Sequence, residues 1–329
     1  MPKHSKPRSG SKQFWPRKRA KRIYPDISFN QSFLSAHEVK PMTFAGWKVG
    51  MTHVQYVDNN PKSPTYNQII TKPVTVVETP SLFVCALRFY SHSPYGLKIL
   101  GETWSDIKYK NLKRKIEKQG EKKFDIEKSK KDITDVRLVV HTIPEKSGVG
   151  KKKPELFEVC LGGSDINEKI KYAQSVLGKE LDIKDVFSDG EIIDVTGVTK
   201  GHGFTGPVKR FGIKIQTRKD EQHHRHAGTK GQERPGRQRW QVPMPGQYGF
   251  FRRTELNKKI LKIVDKPDTV IPKGGFLNYG IPKSRLIVIE GSLPGPAKRL
   301  IMIRKAMRAK KKPQPVEIKY ISTESKQGV

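Results

Sequence analysis

Trp47-Lys48-Val49-Gly50-Met51-Thr52-His53-Val54-Gln55-Tyr56-Val57 opens the part of the chain whose pattern decides the fold. Short runs rich in Val, Ile, Phe and Tyr recur from here between turn residues, next at 74–79 and 82–90. Much later they return at 191–196, 260–264, 285–290, 300–304 and 316–321. Several such runs, punctuated by Gly and Pro, predict a small closed or half-closed β-barrel. About a hundred residues of another character interrupt them. Residues 108–131 are highly charged with few apolar side chains, which favours a solvent-facing helix or a coil. The run at 135–142 reads as a strand. After it, Ile166, Ile170, Ala173 and Leu177 stand at helical spacing, with Ser164 where a cap belongs and Gly178 where the helix should stop. The fold class predicted is mainly β with an α/β insertion.

Charge is the other decisive feature. The 329 residues carry 65 Lys and Arg against 32 Asp and Glu, a formal charge of +33. A compact fold with this excess repels itself in water, so a polyanionic partner is required. Nucleic acid comes first and an anionic membrane surface second. A spanning helix is excluded, because the longest apolar run, Leu82 to Leu87, falls far short of the roughly 20 residues needed. The basic N-terminus lacks an apolar stretch and so is no secretory signal. Cys85 and Cys160 sit in hydrophobic settings and read as buried apolar side chains.

Residues 1–22 hold nine Lys and Arg and no acid. Such a segment cannot bury enough apolar area to offset its ordering entropy. Phe14 and Trp15 read as anchors that dock when a partner is present. Between Gly201 and Arg253 stand twelve Lys and Arg, three acids and nine glycines, without sustained periodicity. A stretch of this length without structure of its own is usually functional or disordered. Glycine permits close backbone approach and Lys or Arg neutralises phosphate. Residues 298–312 add eight basic side chains and no acid.

Several motifs also carry blander readings. Gly201-His202-Gly203-Phe204-Thr205-Gly206 fits the dinucleotide spacing G-x-G-x-x-G, but that fingerprint needs a helix to receive the pyrophosphate. Pro207 and a basic run follow instead, and no acid stands about 20 residues on, so a phosphate-hugging turn is the better reading. His223, His224 and His226 could suggest zinc, yet Arg225 sits among them and no cysteine is near in sequence. Stacking on bases or donation to phosphates fits them better. No nucleophile elbow, H-E-x-x-H or Walker sequence is present. Aromatics interleaved with cations (Phe14-Trp15, Phe204, Phe211, Arg239-Trp240 and Tyr248 through Phe251) offer faces to unpaired bases, or else pin the loop to the barrel.

Seven stretches point to one family. Gly46-Trp47-Lys48-Val49-Gly50-Met51-Thr52, Gly197-Val198-Thr199-Lys200-Gly201, Gly206-Pro207-Val208-Lys209-Arg210 and Arg253-Thr254-Glu255-Leu256-Asn257 resemble the universal large-subunit ribosomal protein L3 family. Gly274 through Gly280, Gly291 through Pro296 and Glu324 through Gly328 extend the resemblance over the whole chain, and the long middle insertion is similar to the archaeal and eukaryotic branch. The resemblance implies a translation-factor-type β-barrel, early binding to large-subunit rRNA, and an extension whose tip approaches the peptidyl transferase centre. It implies a division into a basic tail (1–40), first barrel part (41–95), α/β insertion (96–190), barrel strand (191–200), rRNA-threading extension (201–253), second barrel part (254–304) and C-terminal extension (305–329).

The RNA-binding residues expected on these grounds are Lys12, Trp15, Arg17, Lys18 and Arg19 in the tail. In and beside the extension they are Lys200, Lys209, Arg210, Arg218, Lys219, His223, His224, Arg225, His226, Lys230, Gln232, Arg234, Arg237, Arg239, Trp240, Arg252 and Arg253. Lys298 and Arg299 complete the set. By the resemblance, Glu233 occupies the place of the eukaryotic tryptophan finger. Gln232 falls where bacterial members carry a methylated glutamine and is the candidate modification site, with a histidine, as in eukaryotic members, the other option. No cofactor, metal, membrane or homo-oligomer is expected. The partners are rRNA and neighbouring large-subunit proteins in the cytoplasmic ribosome. An RNA-modifying enzyme with a basic arm, or a DNA-architectural protein, are the competing classes.

Overall fold

The structure, a computed structural model, describes residues 16–106, 109–116, 124–127, 129–130, 132–220, 222–231, 233–234, 236–238, 242–309 and 314–325. The chain divides into two compact units, one of Met1–Ile23 with Val198–Arg253, the other of Tyr24–Gly197 with Thr254–Val329.

The larger unit begins with a short helix α1 (Gln31–Ser35), then β1 (Thr43–Val57), β2 (Ile69–Glu78), β3 (Leu82–Ser93) and β4 (Gly96–Trp104). β5 (Asp135–Thr142), β6 (Leu156–Cys160), α2 (Ile166–Val176) and β7 (Glu180–Leu181) follow, then β8 (Ile192–Val198). The other unit contributes β9 (Gly201–Thr205), α3 (Pro207–Phe211) and β10 (Gly246–Gly249). The chain ends through β11 (Arg252–Val264), β12 (Leu286–Glu290), β13 (Leu300–Lys305) and β14 (Ile318–Ile321).

Seven strands form one sheet in the order β13-β8-β11-β12-β2-β1-β14, and β13 also pairs with β1. β1 pairs with β13 over Thr43–Trp47 and with β2 from Trp47 onward, so Trp47 lies opposite both Leu300 and Glu78. Its residues there are buried, whereas from Met51 onward buried and part-exposed residues mostly alternate. Strands covered on both faces read as apolar runs and half-covered ones alternate. Gly46 is required by this crossing, because a Cβ would come within 2.7 Å of Val77 and Thr79 and 2.8 Å of the Glu78 carbonyl.

The second sheet has the order β4-β3-β5-β6, with β7 on β3. The run at 82–90, read from sequence as a barrel strand, therefore belongs here. Its β-branched and aromatic content marks a strand but not which sheet it joins. Arg88 stands directly opposite Arg137 in register, a like-charge pair that would be destabilising alone. Glu158 on β6 bonds both guanidinium groups and also accepts from the Tyr90 hydroxyl at 2.8 Å. α2 packs on β5 and β3 through Ile170 and Ala173. Its cap is Asp165, which accepts from the Asn167 amide at 3.2 Å, rather than Ser164. Gly178, at φ +76°, follows its end as expected.

Two further expectations change. Residues 24–40, assigned from sequence to the tail, carry Tyr24 and Leu34, which are 5% and 3% exposed. Tyr24 donates to the Leu156 carbonyl at 2.7 Å. Within the charged stretch 108–131, the described part forms a 3-10 turn over Lys110–Arg114 that buries Leu112 against Phe83, Cys85 and Val139. Cys85 and Cys160 are buried thiols, as read, and burial raises their pKa values to about 12 and about 11.

Glu78 ties the elements together. Fully buried at the end of β2, it accepts from the amides of Gly148 at 3.0 Å, Lys283 at 2.6 Å and Ser284 at 2.9 Å. The Ser284 hydroxyl at 3.0 Å and the Tyr279 hydroxyl complete the set. Burial, reinforced by this carboxylate, pushes the Tyr279 hydroxyl pKa up. Each donor left unpaired in such a site costs about 1–3 kcal/mol. Glu78→Leu should therefore lower stability by at least about 3 kcal/mol, judged from these unpaired donors. Glu290→Gln, which breaks the surface pair with Lys72 at 2.6 Å, should cost under about 1 kcal/mol. Denaturant unfolding of the two variants checks this, and equal losses would contradict the role given to Glu78.

Candidate nucleic-acid interface

The smaller unit is built on a two-stranded ribbon. β9 and β10 pair antiparallel, with Gly246 opposite Thr205 and Gln247 opposite Phe204. The register shifts before Gly249 meets Gly201, and Gly203 sits at φ +65° inside the irregularity. A bulge with glycine in the left-handed region is the usual way to insert one extra residue in a strand. The stretch read as structureless thus holds two strands and a short helix, because local turns and cross-strand bonds order it without apolar periodicity. A helix does follow Gly206, with Pro207 at its first turn, but it is only five residues long.

Arg210 on α3 closes this arrangement. Its Nε donates to the Gln247 carbonyl at 3.1 Å and its Nη1 to the Met244 carbonyl at 2.7 Å. Burial lowers its pKa from the usual arginine value. The N-terminal segment docks on the same unit. The Ala20 amide donates to the Phe250 carbonyl at 2.8 Å, and Arg253 Nη1 donates to the Pro16 carbonyl at 3.2 Å. Arg17 lies 4.4 Å over the Phe211 ring and Arg19 lies 6.0 Å over Phe250. Residues 16–20, expected to be unstructured alone, are therefore held by backbone bonds and cation–π contacts. Burial, with the nearby Arg17 charge, lowers the pKa of Arg253.

The remaining cations face outward. Lys18, Lys200, Lys209, Arg218, Lys219, Arg225, Lys230, Arg234, Arg237 and Arg252 are all exposed. His223 and His226 are exposed and stack on each other at 4.6 Å. The His224 ring instead hydrogen-bonds the Thr217 carbonyl at 2.8 Å, while its own carbonyl accepts from the Gln216 amide at 2.9 Å. The three imidazoles thus serve different partners, and among the described residues no group of His, Cys, Asp or Glu is arranged to hold a metal. A cavity of about 550 Å³ opens beside them, lined among others by Arg225, Lys230, Asp220 and Pro207. Lys12, Trp15, Gln232, Arg239 and Trp240 lie outside the described residues.

Lys298 and Arg299 belong to the larger unit. The Lys298 amide donates to the Lys48 carbonyl at 2.8 Å and the Lys48 amide to the Arg299 carbonyl at 3.0 Å, which fixes this turn on β1. Burial lowers the pKa of Arg299. Sequence reasoning missed a basic concavity of about 600 Å³ in that unit, lined by Tyr109, Lys110, Arg114 and Lys152 with Asn111 and Glu145. Its signal, cations flanking one aromatic, was submerged in a stretch charged throughout. It also missed the stacking of His202 on Tyr248 at 5.0 Å.

Residues 1–328 match the family model described as ribosomal protein L3. The chain belongs to the ribosomal protein L3 family. Curated relatives extend over its full length. It is similar to the large ribosomal subunit protein uL3 of Methanococcus aeolicus, 46% identical over 99% of each chain. The proteins of that name from Methanocaldococcus jannaschii and Methanothermobacter thermautotrophicus are 46% identical over 98% and 45% identical over 100% of each chain. The archaeal character read from the long insertion agrees with these L3-family relatives.

Two of the residues expected to bind RNA, Arg210 and Arg253, are braces in this L3-family chain. Arg210→Met should remove two hydrogen bonds worth about 1–3 kcal/mol together. Amide exchange of residues 246–249 should accelerate while the unfolding midpoint of the larger unit stays put. Unchanged exchange there would contradict the bracing role.

Proposed function

We propose that the chain is a structural constituent of the large ribosomal subunit that binds large-subunit rRNA and acts early in subunit assembly. The observation that carries this reading is the full-length family match joined to a unit in which 22 Lys and Arg face 3 acids. A protein bound across many RNA helices needs cations spread over tails and loops, because each phosphate contact is local and salt-screened. The exposed cations of the smaller unit that are not internal ties, with Lys298 and Arg299, are assigned to phosphate contacts. Arg210 and Arg253 act through the shape they maintain.

The finer architecture belongs to the same proposal. β1, β2, β12, β11, β8 and β13 each pair with two others of this set, which supports reading them as a closed six-stranded barrel of the translation-factor type. The extension tip then braces rRNA near the peptidyl transferase centre, where the chemistry belongs to RNA and the protein is no enzyme. Gln232 is the proposed modification site. Neighbouring large-subunit proteins are the remaining partners, and the ribosome in the cytoplasm is the location. Among the described residues no helix is long and apolar enough to cross a membrane.

Sedimentation of native lysate should show the chain with the large subunit and resistant to a moderate salt wash. Arg234→Glu and Arg237→Glu should impair peptide-bond formation by purified subunits more than Gln232→Ala, because reversal replaces attraction with repulsion beside several phosphates. A neutral amide forfeits about 0.5–1.5 kcal/mol. Free sedimentation of the chain, away from subunits, would contradict the proposal.

A further inference from the structure

The described phenylalanines of the smaller unit fall into two groups that sequence cannot separate. Phe211 is covered by the guanidinium groups of Arg17 at 4.4 Å and Arg210 at 5.2 Å. Phe250 lies under Arg19, and Phe251 is 6% exposed with Arg253 at 4.7 Å over its ring. These rings already have cationic partners and hold the docked N-terminal segment. Phe204 differs. It is 80% exposed, on a strand, in a unit whose other exposed side chains are mostly charged.

Leaving a phenyl ring in water forgoes the free energy that burial would supply. Here the ring sits on a ribbon closed by Arg210, and the bulge at Gly203 sets the aim of the residues around it. The flanking positions keep its surroundings open: a Cβ added at Gly203 or Gly206 would meet nothing within 4 Å. Two residues away, His202 stacks on Tyr248 at 5.0 Å with the ring planes 23° apart, and His202 is itself exposed. Lys200 and Lys209 bracket the segment, both exposed. Flat faces between exposed cations suit a single strand, whose bases stack while its phosphates are neutralised. A duplex hides its base faces and gains only from the cations.

The geometry points to Phe204 as a stacking platform for unpaired bases of rRNA. This rests on the RNA-binding reading and adds what part of the RNA is recognised and by which side chain. Phe211, Phe250 and Phe251 are structural in this account.

The test uses the full chain and two probes. One is a short single-stranded oligoadenylate carrying the fluorescent analogue 2-aminopurine, and the other is the same strand annealed to its complement. The parent protein should bind the single strand and quench its fluorescence by stacking. Phe204→Leu keeps an apolar side chain but removes the ring, and its exposure leaves the fold undisturbed. It should lose the quenching and weaken single-strand binding roughly 5- to 150-fold, the range expected for one base–aromatic stack. Duplex binding should not change, and Phe204→Trp should restore both signals. Parental binding and quenching by Phe204→Leu would overturn the inference and leave RNA binding standing. Equal weakening toward both probes would also overturn it, since duplex bases cannot reach the ring. Failure of the parent to bind either probe would overturn the inference and the RNA-binding reading together.

Discussion

Like-charge repulsion is the constraint that shapes this chain. Of the formal charge of +33, the smaller unit carries +19 in 79 residues, with only Asp220, Glu221 and Glu233 to offset it. No rearrangement of the unit's own side chains can neutralise that excess. What the structure does instead is use a few cations as internal ties and direct the other described ones outward. Arg210 and Arg253 donate to backbone carbonyls, while Arg17 and Arg19 cover aromatic rings. Guanidinium suits this work because it forks across two acceptors and lies flat on a ring.

The larger unit handles charge in the opposite way. A few of its acids are buried or half-buried and organise strands. Glu78 gathers donors from three loop segments, and Asp194 is fully buried while accepting from the Asn257 amide at 3.1 Å and Arg304 at 3.2 Å. Glu158 lets two arginines stand opposite one another on adjacent strands. Each of these carboxylates is satisfied by several donors, the condition under which a buried charge is tolerated.

Much of the fold was legible because its signals are local. The strand at 135–142 matches its predicted bounds, and the helix before Gly178 follows from Ile170 and Ala173 at helical spacing. The membership of residues 82–93 was not legible, since a β-rich run carries no label for its neighbours. The ribbon at 201–205 and 246–249 escaped because its pairing spans about forty residues and rests on glycines and backbone bonds. For the interface, the cations were visible as composition. Which of them brace and which are presented, and which aromatic ring stays uncovered, depend on contacts between residues distant in sequence, as Arg17 on Phe211 shows.

The central claim is that the excess positive charge exists to neutralise RNA phosphates. It is tested most directly by the salt dependence of binding between the full chain and a large-subunit rRNA fragment. A protein neutralising Z phosphates gives a log–log slope near −0.7Z to −0.9Z, so ten or so contacts predict a slope of at least about −5 in magnitude. A nearly flat dependence would mean that the charge serves something other than phosphate, and the account would be wrong at its base.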